Sequence, residues 1–133
     1  MEHLFKLKKD GTITGYKKTV NGLIFIKSVT TNTWGCLTKQ ANFGDFVEYR
    51  FAIDEDVNDE LSVDSEYSFV TKDKNGKEVF AGDKLLSKDG LRKYKVIWDE
   101  RRCRWWLCGI EKPWAVNVPI WENYEIIKEK EDA

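Results

Sequence analysis

The stretch HLFKLKKDGTITGYKKTVNGLIFIKSV, residues 3–29, decides the fold class. Three runs within it, HLFKLK, TITGYKK and LIFIKSV, alternate apolar and polar residues at period two, the spacing of a strand with one face in a core. Lys9-Asp10-Gly11 separates the first two runs and Asn21-Gly22 the second two. Both breaks supply the positive φ that tight hairpin turns need, so the stretch predicts an antiparallel three-stranded meander.

The same period continues outward. FGDFVEYRFAI, residues 43–53, places Val47, Tyr49, Phe51 and Ile53 on one face of a strand and Glu48 and Arg50 on the other. Residues 54–66, DEDVNDELSVDSE, then interrupt the pattern and read as an acidic loop or one short helix. Beyond them YSFV reads as a strand, DKNG as a turn, KEVF as a strand, and AGDKLLS as a strand entered through a Gly-Asp corner. RKYKVIW and CRWWLC form a further hairpin. WAVNV lies between Pro113 and Pro119, which points to an edge strand or loop, because proline cannot donate to a central ladder. YEIIK closes the sheet. The expected fold is mainly β, with antiparallel hairpins and meanders forming one or two small barrel-like or sandwich-like units and little helix. The expected division is an N-terminal β-meander unit at 1–53, the acidic stretch at 54–66, a C-terminal β unit at 67–127 and a disordered tail at 128–133.

A hydrophobic fraction of 41% with 14% aromatics is enough for a core, and a chain of 133 residues needs no metal or disulfide staple to hold one. The three cysteines, Cys36, Cys103 and Cys108, are an odd number and a poor disulfide framework. With no signal-peptide core and no apolar run of spanning length, the expected location is the cytoplasm, without a membrane partner. Charge is segregated: residues 54–66 carry seven acids and no base, whereas residues 84–108 carry eight bases against three acids.

The hairpin YKVIWDERRCRWWLC is the candidate binding element. With an even loop of two or four residues, Trp98 is expected opposite Cys103, Val96 opposite Trp105 and Tyr94 opposite Leu107, whereas an odd loop would slip the faces. Tyr94, Val96, Trp98, Cys103, Trp105 and Leu107 then share the core face. Lys95, Ile97, Arg104 and Trp106 share the other, a mixture of cations and apolar surface that solubility does not require. With Arg102 in the adjoining loop, these residues form the candidate contact surface. An acidic stretch and a basic hairpin in one chain point to plus-to-minus self-association. The alternative ligand for the hairpin, residues 92–108, is single-stranded nucleic acid, with Arg and Lys on phosphates and a base stacked on Trp106.

Catalytic and metal chemistry lack their residues. One histidine, His3, leaves a Ser or Cys nucleophile without a base, and neither glycine-rich phosphate motif is present. Cys103 and Cys108 are five apart, which on a strand sends them to opposite faces. Asp54, Asp56 and Asn58 resemble the opening of a calcium loop, but Asp59 stands at the glycine position and Ser65 at the glutamate position. No enzyme, metal or cofactor is expected.

One family resemblance exists. SFVTKDKNGKEVFAGDKL, residues 68–85, followed by YKVIWDE, resembles the YopX family of phage and prophage proteins. Lys72, Asp73, Lys74, Asn75, Gly76, Lys77, Glu78, Phe80, Gly82 and Asp83 stand at the places of the family phrase, and Val96 and Trp98 match the following strand. The match spans residues 67–127. It implies a β fold, an origin in a mobile element of a bacterial host and plausible homo-oligomers, with no catalytic residues to carry over. Asn75-Gly76 is expected to set a hairpin turn, and Gly82 to bend the chain before Asp83, whose carboxylate bonds turn amides.

Overall fold

The structure is a computed structural model of the whole chain and describes residues 2–101, 103–110, 116–117 and 124–127. Its described elements are all strands, and no helix occurs among the described residues. Two compact units divide the chain, one within Met1–Ser68 and the other within Phe69–Lys128.

The first unit begins with the expected meander: β1 (Glu2–Lys9), β2 (Thr12–Val20) and β3 (Leu23–Ser28). Asp10-Gly11 and Asn21-Gly22 make the turns with positive φ at all four residues, as two-residue hairpins of this hand require. β4 (Trp34–Asn42) and β5 (Val47–Ala52) continue the antiparallel order. Tyr49 and Phe51 point into the core, with Phe51 fully buried, while Arg50 is exposed.

The acidic stretch departs from its expected form. Residues 54–57 make a turn, in which Asp54 Oδ1 accepts the Asp56 and Val57 amides at 2.9 Å each. Asn58–Val63 is then a strand, β6, paired with β5. The acids conceal a period-two pattern, because Leu61 and Val63 turn inward while Glu60 stays in water. The boundary between units falls between Ser68 and Phe69, so the acidic stretch belongs inside the first unit and does not separate two halves.

Asp64 alone separates β6 from β7 (Ser65–Lys72), and the two strands lie at opposite sides of the sheet order β6-β5-β4-β3-β2-β1-β7. The sheet therefore curls into a half-barrel. Asp64 ties the ends: its amide donates to the Lys8 carbonyl at 2.8 Å and its Oδ2 accepts the Asp10 amide at 2.8 Å. The Asp10 amide is also the main reason that the Asp64 carboxyl titrates below its ordinary range. Bulges at Thr14 and Thr38 sharpen the curl, and their hydroxyls donate to the Ser62 and Arg50 carbonyls at 3.2 and 3.1 Å. Leu7, Ile26, Tyr49, Phe51, Leu61 and Val63 fill the interior. Each such side chain contributes roughly 1.5–3 kcal/mol of transfer free energy. The Tyr49 hydroxyl donates to Glu66 Oε1 at 2.8 Å, and burial together with that carboxylate pushes the phenol pKa upward.

In the second unit, the distal part of β7 pairs with β8 (Glu78–Phe80). A five-stranded sheet follows, built from β9 (Lys84–Ser87), β10 (Lys93–Asp99), β11 (Arg104–Gly109), β12 (Val116–Asn117) and β13 (Tyr124–Ile126), in the order β12-β11-β10-β9-β13. Val79 of β8 packs with Leu85, Tyr94, Val96 and Leu107, so the β7–β8 hairpin covers one face of that sheet. Val116–Asn117 of the WAVNV segment forms one edge and YEIIK supplies the other. The rest of WAVNV and the tail at 128–133 lie outside the described residues.

Candidate functional site

Residues 72–83 serve the backbone. Gly76 has φ 77° and Gly82 φ 82°, values at which a side chain is strained. Asp73 is 7% exposed; its Oδ1 accepts the Asn75 and Lys77 amides at 2.8 and 2.9 Å, and its Oδ2 accepts the Ile126 amide of β13 at 3.0 Å. Burial pushes the Asp73 carboxyl up, but these three amides outweigh it and hold it below the ordinary carboxylate value. Asp83, 1% exposed, accepts the Phe80 amide at 2.8 Å, while its own backbone carbonyl accepts the Val96 amide at 2.9 Å. Gly76, Gly82 and the Asp73 and Asp83 carboxylates therefore shape the turns of the second unit, with Asn75 contributing its amide.

The β10–β11 hairpin carries the candidate surface, with a corrected register. Trp98 faces Trp105, not Cys103; Val96 faces Leu107; Tyr94 faces Gly109. Cys103 leaves the core face altogether: it is exposed in the loop at φ 50°. The pairing that wins brings two indoles together edge to face at 5.1 Å between ring centroids. Since the register shifts by two residues, an even number, the parity of every other side chain is kept. Tyr94, Val96 and Leu107 are buried, although Trp98 remains 49% exposed at the hairpin's end.

The opposite face holds Lys95, Ile97, Arg104 and Trp106, as expected, with the Arg104 guanidinium 5.1 Å from the Trp106 ring centroid. Arg102 lies outside the described residues. Lys93, two residues before Lys95 on β10, shares this face, and Lys84, which sequence reasoning left out, joins it because β9 pairs with β10 through Lys95↔Lys84 and Lys93↔Leu86. Lys84, Lys93, Lys95 and Arg104 are all exposed, and among the described residues none of the four pairs with a carboxylate. Glu125, opposite Leu86 on β13, is engaged by Lys74 at 3.3 Å. Lys84 directly opposite Lys95 is a like-charge pair, an unfavourable arrangement until an anion covers it. The signal for Lys84 was the Gly-Asp corner, which places β9 beside β10.

A second cation-bearing face lies on the first unit. The two-residue Asn21-Gly22 turn sets Tyr16 opposite Lys27 and Lys18 opposite Phe25, and β4 adds Trp34 opposite Lys27. That register was readable from the turn, but only after β4 is recognised as the next strand. The Lys18 ammonium sits 4.5 Å from the Trp34 ring centroid and that of Lys27 sits 5.0 Å from it.

Among the described residues, no three His, Cys, Asp or Glu side chains converge as metal ligands, and no helix is long and apolar enough to cross a membrane. Comparison with family models, with curated proteins and with solved structures gives no match to this chain.

Proposed function

We propose that the protein works by binding, without catalysis, and that the outer face of β9–β10–β11 docks an acidic protein surface, of which the 54–66 stretch of a second copy is the nearest example. The like-charge opposition of Lys84 and Lys95, beside Lys93 and Arg104, carries this reading. In the same chain Glu55, Asp56 and Glu60 are exposed anions, so one copy offers both signs. The carboxylates with lowered pKa, Asp64, Asp73 and Asp89, all accept backbone amides of turns or strands, a structural use rather than a catalytic one. The resemblance of residues 72–83 to YopX-type proteins supports a phage or prophage accessory protein in the cytoplasm of a bacterial host, with a host or phage protein as the other source of an acidic surface.

Light scattering tests the assembly. At low salt the mass should exceed the monomer's 15.6 kDa and return to it as salt screens the charges. Lys95→Glu with Arg104→Glu should remain monomeric, as should Glu55→Lys with Asp56→Lys, and mixing the two variants should restore a larger species. A monomer at every concentration and salt would remove self-association.

A second reading gives the hairpin a single-stranded nucleic acid, favoured by the Arg104–Trp106 stack. It predicts Trp quenching by oligonucleotides that weakens steeply with salt and is lost in Arg104→Ala with Trp106→Ala.

A further inference from the structure

On the first unit a row of side chains crosses five strands on the side of the sheet away from its core: Tyr67, Lys6, Tyr16, Lys27 and Trp34 stand opposite one another in turn, with Lys6 itself buried and Tyr16, Lys27 and Trp34 half-buried. A neighbouring row places Lys18 opposite Phe25. Rings and ammoniums therefore interleave in two dimensions. Lys27 lies 5.2 Å from the Tyr16 ring centroid and 5.0 Å from that of Trp34; Lys18 lies 4.5 Å from Trp34 and 5.7 Å from Phe25. These are cation–π distances, so each ammonium is held over the aromatic surface by its neighbours.

Sheet stability alone is served by a carboxylate beside each lysine. Lys17, on the inner side of β2, has one: Glu66 Oε1 lies 2.6 Å from its Nζ. Lys18 and Lys27 have none among the described residues, although both are half-buried. Tyr16, Phe25 and Trp34 are likewise only half-buried on a face that the core does not use. A partner for this face must supply negative charge and flat π-surface at the same short repeat. An acidic protein surface offers only the charge, and a duplex keeps its bases stacked inside. A single strand offers a phosphate and an unstacked base at every residue.

We propose that the outer face of β2–β3–β4 binds single-stranded nucleic acid, with Lys18 and Lys27 on phosphates and Trp34, Phe25 and Tyr16 as the stacking surface. The inference rests on the reading of the protein as a binding module, but on a different unit and different residues from the β9–β11 face, and it does not need self-association.

The test is fluorescence anisotropy of the full chain with a labelled single-stranded oligothymidine at low salt. Lys18→Gln with Lys27→Gln should weaken binding about tenfold or more and flatten the slope of log affinity against log salt by roughly 1 to 1.5, from about 0.7 per phosphate on a single strand. Trp34→Leu should weaken binding while leaving that slope unchanged, and circular dichroism should report all variants as folded. Lys77→Gln with Lys88→Gln, two exposed lysines outside both candidate faces, should bind like the parent chain, and Lys95→Gln with Arg104→Gln reads the hairpin site separately. If only the Lys95/Arg104 variant loses affinity, the site on the first unit is wrong and the hairpin reading stands. Equal competition by polyglutamate or by a duplex would show charge attraction without stacking and would overturn the proposal, as would absence of binding by the parent chain.

Discussion

Asp73 ties two segments of the second unit through one carboxylate. Three backbone amides from two segments far apart in sequence converge on it, two from its own turn and one from β13. Asn in its place keeps one acceptor but turns an NH2 group toward at least one of those amides. The expected cost of Asp73→Asn is about 1–3 kcal/mol, the penalty for a buried donor left unsatisfied, read as a lower urea midpoint at neutral pH. The pH dependence has a definite sign. The carboxyl is held below its ordinary 3.8 in the folded chain, so its contribution is complete above that value and disappears as pH falls through the lower, folded-state pKa. The stability gap between parent and variant should accordingly be constant near neutrality and close in strong acid. A gap that widens with acid would mean that the carboxylate is not the stabilising form.

At the scale of elements, period-two alternation made the meander, the β5 strand and the β10–β11 hairpin legible, and asparagine- and aspartate-glycine pairs marked where they turn. Two strands were not legible. β4, WGCLTKQAN, has a bulge at Thr38 that breaks the alternation, and β6 hides Leu61 and Val63 among acids. The curl depended on something no period reports: room for the backbone. A methyl group built on Gly15 would overlap the Lys27 carbonyl oxygen and come within 2.9 Å of Leu61 Cδ2. On Gly35 it would lie 2.5 Å from the Ala52 carbonyl oxygen and 2.9 Å from Phe51 Cδ2. Both glycines abut core side chains, Leu61 and Phe51. Gly15→Ala and Gly35→Ala should each cost about 1–3 kcal/mol in urea unfolding, the usual penalty for overfilling a packed site. Wild-type stability in both would show that the sheet can open to admit a side chain.

At the scale of the whole molecule, the sequence divided the chain at its charge run, but burial divides it elsewhere, because Leu61 and Val63 bind the acidic stretch to the first core. The candidate surface was legible as a parity argument and not as a charge count, since Lys84 joins it only through the pairing of β9 with β10. Each unit has its own buried cluster, around Phe51 in the first and around Leu107 in the second, and no residue belongs to both. Phe51 and Leu107 are each fully buried, so Phe51→Ala should cost about 3–5 kcal/mol and Leu107→Ala about 2–5 kcal/mol. Separate cores predict separate consequences. Native-state hydrogen exchange should show amides of β3–β6 opening faster in Phe51→Ala while those of β9–β11 keep their protection, and the reverse in Leu107→Ala. Uniform acceleration along the chain in either variant would mean that the two clusters melt as one cooperative body.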